Sequence, residues 1–486
     1  MKLLTVLGPT LALLVVAGFV TARIAAHDQD RIVYDAWVEF TDKGIESDEQ
    51  RRQLLRELER EFDPRSLERR RARRTLPGLF DEHDLPVVPA YLEAVAATGA
   101  ELMAVSRWLN GVAVRATTDE IEQIEALPGV RAVHDAHVPD PEGPFSDRRE
   151  ADHQIDRSRL AGSAGYYGRS SSQLSQLGLD RLHRAGFTGQ GVIIGVIDTG
   201  FEIEHEVFTH PDHPLRVRAQ WDFIFNDGVT SSEPGDPPFH NLHGTYVLGT
   251  MAACLPGELV GSAPEAEYIL CRAEYSAEEF SLEERWFVAA LEFAEAHGAD
   301  LITSSCVLYT GYEQDQLDGK TSIMARGWTL AVGNGVIGLQ GAGNWGHDDD
   351  PATSTLMPPA DAFGVIACGA VDTTGAAAPF SSDGPTADGR SKPDVLACGD
   401  FVWTVSLGAA DGYVTAAGTS MATPIMAGGL ACLLQANPDW TVAELKDALF
   451  QTGDYYREHG RTDPLFVRGY GIPDLYLAAG LDRERR

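Results

Sequence analysis

With 486 residues, 44% of them hydrophobic, the chain is long enough for a short N-terminal address, a small domain and one large domain with its own core. Its formal net charge of −33 argues against nucleic acid as a partner, because phosphate binding needs clustered Lys and Arg. Such acidity bears on solubility and mutual repulsion and names no substrate.

Lys2 precedes an apolar run from Leu3 to Ala22, and the chain turns polar at His27-Asp28-Gln29-Asp30. Small residues at Val20-Thr21-Ala22, and again at Ile24-Ala25-Ala26, stand where a signal peptidase would cut. Residues 1–26 therefore read as a signal peptide, and the product as secreted, or periplasmic and cell-envelope, after export. The competing reading is a retained anchor, since about 20 apolar residues span a bilayer. A membrane is a partner only if residues 3–22 are kept. Six cysteines (254, 271, 306, 368, 398 and 432) show no C-x-x-C spacing, which argues against a zinc site. Cys271, Cys306 and Cys368 lie in apolar runs and read as small buried hydrophobes.

Residues 31–135 read as a compact α+β unit. A strand is expected at Tyr34–Phe40, a helix at Tyr91–Ala97 and a second apolar run at Trp108–Val114. Thr117 and Thr118 can cap a helix reaching Leu127, and Pro128-Gly129 returns the chain to a strand at Val130–Val133. Within the unit, Glu68-Arg69-Arg70-Arg71-Ala72-Arg73-Arg74 is strongly basic. It is a solvated helix face or loop, or else a group attracted to an acidic partner domain, or a cleavage site. Residues 136–165, rich in Pro, Asp, Ser and Gly, read as an exposed linker.

From about residue 166 buried strands alternate with helices. Gly191–Asp198, Tyr268–Cys271, Leu301–Ser305, Val336–Leu339 and Gly364–Ala370 read as strands. Residues 284–297 place Trp286, Ala290, Phe293 and His297 on one helical stripe closed by Gly298, and Thr321–Val332 is a further helix. This alternation implies a doubly wound, mostly parallel α/β sheet, with sites beyond the carboxyl ends of the strands.

Three segments each place a reactive side chain just after or at the opening of such an element. Asp198 closes the first strand of the large domain. His243 opens a helix in His-Gly-Thr-Tyr-Val-Leu-Gly, and Ser420 stands in Gly-Thr-Ser-Met-Ala-Thr-Pro. Pro424, suited only to a first helical turn, places Ser420 at a helix N-terminus with its N–H pointing outward. A serine hydroxyl becomes a nucleophile when an imidazole takes its proton, and the imidazole needs a buried carboxylate to fix its tautomer. The oxyanion that follows needs fixed donors. Ser420 N–H supplies one, and the Asn344 amide, in Gly341-Ala342-Gly343-Asn344-Trp345-Gly346, supplies a second.

The chain order Asp, His, Ser is that of subtilisins. Residues 166–480 resemble the subtilisin family of serine peptidases through GVIIGVIDTGF around Asp198, HGTYVLGTMAA around His243, GAGNWG around Asn344, GTSMATP around Ser420 and FSSDGPTADGRSKPD at 380–394. The resemblance implies a subtilisin-like fold and a serine endopeptidase acting on protein and peptide substrates. It also implies a ferredoxin-like prosegment over residues 27–138, acting as intramolecular inhibitor and folding aid. Maturation would fall in the linker at 139–165, leaving 166–486 as the peptidase domain. No cofactor is required; structural calcium is common in such enzymes, but no ligands for it can be named here. Ser305, Cys306, Val307 and Gly343 fall where the family binds substrate. Val307 stands where Gly is usual, which would narrow the pocket for the residue before the scissile bond. Tyr246 replaces a supporting His.

Asp198-Thr199-Gly200 also matches an aspartic-protease tripeptide, but that chemistry needs two such sites on an all-β fold, and Asp372-Thr373-Thr374-Gly375 is wrongly spaced. His240 is expected in the loop before the His243 helix, and Asn334 at a helix C-terminus. His347-Asp348-Asp349-Asp350 is a cation site or, more simply, a solvated loop. A degenerate, non-catalytic relative acting as a binding protein is the main alternative function.

Overall fold

The computed structural model describes residues 33–135, 165–234, 236–275, 283–307, 312–408 and 410–481. The expected signal peptide at 1–26 and all but the last residue of the expected linker at 139–165 lie outside the described residues. The chain divides into two units. One contains residues 1–68 and 76–138, and the other contains Arg69–Thr75 together with residues from Pro139 onward.

In the first unit the chain runs β1 (Tyr34–Phe40), α1 (Asp48–Glu61), α2 (Pro64–Arg73), α3 (Pro89–Ala96), β2 (Glu101–Ser106), β3 (Gly111–Ala116), α4 (Thr118–Glu125) and β4 (Val130–Asp135). The four strands form one antiparallel sheet in the order β2-β3-β1-β4. Without α1 and α2 this is the β-α-β-β-α-β succession of a ferredoxin-like unit. Ala36, Val38 and Phe40 share one face of β1 and meet Val112, Val114 and Ile124 in the core. The Thr117 hydroxyl accepts from Glu120 N–H, while the Glu120 carboxylate accepts from Thr117 N–H, which fixes the start of α4.

The charged stretch after β1 forms α1 and the start of α2, and α1 buries no residue. Its continuation departs from a solvated face. Arg69 and Arg70 have side chains with 0% exposure and pair with the equally buried Glu295.

The second unit is built on a seven-stranded sheet: β5 (Ile193–Asp198), β6 (Arg216–Asp222), β7 (Glu267–Arg272), β8 (Leu301–Ser304), β9 (Ile337–Gly341), β10 (Ile366–Val371) and β11 (Val395–Cys398). Its order is β11-β10-β9-β8-β5-β7-β6 and every pairing is parallel. Strand β5 is buried along its whole length, as a central parallel strand must be. Ile194 and Val196 point into the main core with Met251 and Ile425, whereas Gly195 faces Ala294 on the other side. The sheet is thus covered on both faces. The helices that matter below are α5 (Leu242–Ala252), α6 (Glu283–Ala296), α7 (Ile323–Gly333) and α8 (Thr419–Ala436). Helices α5 and α8 pack on each other, as do α6 and α7. Strand order reverses around β5 and β8, which opens a crevice at their carboxyl ends. All six cysteines are free and buried.

Candidate active site

Asp198 is the last residue of β5 and has no solvent exposure. Its Oδ1 accepts from Thr199 N–H at 2.8 Å and lies 2.7 Å from His243 Nδ1. Both donors fall on Oδ1, which satisfies this oxygen within the buried site. Donation from His243 Nδ1 leaves Nε2 as the lone-pair nitrogen. The imidazole side chain is 19% exposed, so one edge can be reached while the other is held.

His243 is the second residue of α5, and the helix must come very close to β5 for this bond to form. Gly244 makes that possible. A Cβ there would lie 2.2 Å from Gly200 O and 3.1 Å from Asp198 Oδ1. Gly244 N–H donates to Thr199 Oγ1 at 3.2 Å, tying the helix start to the residue after Asp198.

Ser420 is the second residue of α8, whose N-cap is Gly418. In the first turn its N–H has no acceptor within the helix. Pro424 lies further inside α8 than a first turn, which corrects the expected placement. A proline there cannot donate to the carbonyl four residues back, which is that of Ser420. Ser305 Oγ donates to this carbonyl at 3.0 Å instead. The proline and the serine are therefore complementary: one frees the acceptor and the other fills it.

Asn344 Oδ1 accepts from Thr419 N–H at 2.8 Å and from Thr419 Oγ1 at 3.1 Å. With its oxygen held, the amide can present only its NH2 group elsewhere. A Cβ on Gly418 would meet Asn344 Nδ2 at 3.4 Å and Ser420 N at 3.6 Å, so the two donors flank one small space. That is the arrangement an oxyanion needs. Register joins the two halves of the site. Ser304 pairs with Ile197, so Ser305 stands beside Asp198 at the carboxyl ends of β8 and β5. Ser305 in turn holds Ser420.

The other residues expected at the cleft are turned inward. Cys306 Sγ contacts Ile197 O at 3.4 Å, and the Cys306 carbonyl accepts from Gln340 Nε2 at 2.6 Å. Burial raises the Cys306 thiol pKa well above the ordinary value. Val307 is buried, and 308–311 lie outside the described residues. Gly343 donates to Thr419 Oγ1 at 3.3 Å and accepts from Ser382 N–H at 2.9 Å, so its backbone braces the Asn344 loop.

His240 sits in the loop before α5 beside Asp236, which pairs with the buried Arg272. Burial first, then the Arg272 guanidinium, lower the His240 pKa. Tyr246 is a core residue. Asn334 caps the end of α7. Asp372 accepts from Thr374 N–H and Oγ1 in an exposed turn. His347 bonds Ser381 O, and Asp348 and Asp350 bond within their own loop. Among the described residues no cluster of three His, Cys, Asp or Glu could hold a metal ion. Sequence reasoning missed Thr199 and Thr419, which orient Asp198, the start of α5 and Asn344; each is the polar neighbour inside a motif read for its reactive residue.

Comparison with known proteins gives the family. Residues 189–471 match the subtilase family, and residues 35–151 match the Peptidase S8 propeptide domain of Bacteroidota. The chain belongs to the subtilase family. It is 32% identical to subtilisin E of Bacillus subtilis (strain 168) over 309 residues, 63% of this chain and 70% of that one. It is 30% identical to the serine protease AprX of the same organism over 327 residues, covering 61% of this chain and 66% of AprX. Among solved structures, fervidolysin from Fervidobacterium pennivorans, described as a keratinolytic enzyme related to subtilisin, is similar in fold. The TM-score is 0.58 at 20% identity, and the alignment covers 94% of this chain and 62% of fervidolysin. The chain is thus a subtilase serine peptidase with an N-terminal propeptide domain.

The Gly244 contact yields a direct test. Gly244→Ala should force α5 away from Asp198 and lengthen the bond to His243. A misplacement of about 1 Å costs on the order of a hundredfold in rate. Steady-state hydrolysis of a chromogenic peptide checks this: kcat should fall by about that factor, and an unchanged kcat would contradict the close approach.

Proposed function

We propose that this protein is an exported serine endopeptidase that cleaves extended peptides through an acyl-enzyme on Ser420 and is made as a self-processed zymogen. The observation that carries the reading is the Asp198–His243 bond together with the two donors that flank the space beside Ser420. His243 Nε2 takes the Ser420 proton as the hydroxyl oxygen attacks the scissile carbonyl, and Asp198 stabilises the resulting imidazolium. The carbonyl oxygen, now negative, accepts from Asn344 Nδ2 and Ser420 N–H. His243 then protonates the leaving amine. Water, activated by the same imidazole, releases the acyl group and restores Ser420.

No cofactor enters this sequence of steps. Structural calcium is common among relatives by resemblance; among the described residues no three His, Cys, Asp or Glu gather to hold a metal ion. The propeptide match over 35–151 supports an intramolecular inhibitor as a partner, alongside protein and peptide substrates. Cleavage in the linker at 139–165 would then separate it from the peptidase domain. Export rests on the apolar run Leu3–Ala22 and the small residues after it. Among the described residues no helix is long and apolar enough to cross a membrane.

Two outcomes are expected. Asn344→Ala should lower kcat by about 10²–10³ with KM nearly unchanged, because the amide acts on charge that exists only in the transition state; steady-state kinetics would read this, and an equal loss in KM would point to ground-state binding instead. Val307, where relatives carry Gly, should narrow the pocket before the scissile bond. A peptide library should show best cleavage after small or slender side chains, and a preference for Phe or Tyr would refute that.

A further inference from the structure

The basic run Glu68–Arg74 is not absorbed by the chemistry above, and Arg69 and Arg70 are the most deeply buried cations among the described residues after Arg272. The segment Arg69–Thr75 groups by its contacts with the peptidase unit, although its chain neighbours on both sides do not. Arg70 binds Glu295 through two bonds, Nε to Oε1 at 2.8 Å and Nη2 to Oε2 at 2.9 Å. Arg69 Nη2 bonds the same carboxylate, and Arg69 Nη1 donates to Ala299 O at 2.5 Å and Glu295 O at 3.2 Å. Arg69 Nε reaches Asn334 O at 3.4 Å. Arg73 pairs with Asp300 Oδ1 at 3.2 Å and donates to Trp440 O at 3.0 Å and Pro438 O at 3.1 Å. Thr75 N–H donates to Gly333 O at 2.9 Å.

These acceptors share an origin. Glu295 and Ala299 lie at the end of α6, Gly333 and Asn334 at the end of α7, and Pro438 and Trp440 just beyond α8. Helix C-termini carry unpaired carbonyls and partial negative charge, so three converging ends form an acceptor field for guanidinium groups. The site is shaped as well as charged. A Cβ on Gly335 would lie 2.8 Å from Arg73 Cβ and 3.0 Å from Arg74 N, so only glycine lets the segment's backbone settle there.

Its place in the sheet sets it apart from catalysis. Asp300 precedes β8 and its Oδ2 accepts from Ile193 N–H at the entry of β5. Asp198 closes β5, five residues or roughly 17 Å further on. The arginine site is therefore at the opposite rim from the triad and cannot itself occlude the cleft.

We propose that the ends of α6, α7 and α8, with Glu295 and Asp300, form a built receptor for the Arg69–Thr75 segment, which stays bound there after the backbone is cut in the linker. The segment is a retention clamp: it keeps the N-terminal portion with the peptidase unit without contributing to turnover. This rests on the zymogen reading only in calling that portion a prosegment. A guanidinium held this way loses its hydration, which lowers the Arg69 pKa through burial and makes occupancy depend on the paired carboxylate.

The test uses the full chain carrying Ser420→Ala and a recognition sequence for an added protease inside 139–165, so that cutting does not depend on the protein's own activity. After the cut, the two fragments should co-elute in gel filtration at micromolar concentration. R69A/R70A should raise their dissociation constant at least about thirtyfold. Arg52, exposed on α1 where it pairs with Glu49, provides the control: Arg52→Ala should change nothing. Should the double variant not fold, Arg73→Gln alone should weaken the pairing against the same control. Wild-type fragments that separate, or variants that behave like Arg52→Ala, would overturn the proposal. A failure of the peptidase reading would show separately, as absent peptide hydrolysis by the Ser420 chain.

Discussion

A single hydrogen bond, 2.7 Å from His243 to the fully buried Asp198, is the constraint that the peptidase unit is arranged to satisfy. An ionised carboxylate at the end of a strand buried on both faces would cost several kcal/mol if left without donors. The fold supplies donors to its Oδ1 locally, with Thr199 N–H and with an imidazole brought in by a helix that touches the strand through Gly244. The same bond fixes which histidine nitrogen faces outward, so stability and reactivity come from one contact.

From there the site extends by parallel pairing. Strand β8 lies beside β5 in a register that sets Ser305 next to Asp198, and Ser305 completes the acceptor that Pro424 leaves open in α8. Behind it, Trp328 Nε1 donates to Gln340 Oε1, and Gln340 holds the Cys306 carbonyl. Ser420 is therefore braced through a short relay into the core. Rigid support of this kind is what keeps a catalytic group within reach of its partner.

Much of this was legible in the sequence because it is locally encoded. A β-branched run ending in Asp, a His-Gly-Thr at a helix start and a Gly-Thr-Ser before a proline each announce an element and its reactive residue together. Five of the seven parallel strands followed from that alternation, whereas β6 and β11, at the two edges of the sheet, were not read. What escaped depends on residues far apart in the chain. Nothing near Ser305 reveals that it will bond a carbonyl 115 positions away, and the rule that confines proline to a first turn fails for Pro424 because that distant hydroxyl compensates. The arginine run reads as solvated until Glu295, 225 positions beyond Arg70, supplies its partner. Helix α1 was not foreseen for a different reason: it buries no residue, so it carries no core-facing stripe to read.

The central claim is that Ser420 is activated by His243. Treating the protein with phenylmethylsulfonyl fluoride and locating the adduct by peptide mass spectrometry tests it most directly. The account predicts one adduct, on Ser420, that is lost in His243→Ala while the chain remains folded. Labelling of Ser420 at an equal rate without His243, or labelling at another residue alone, would contradict it.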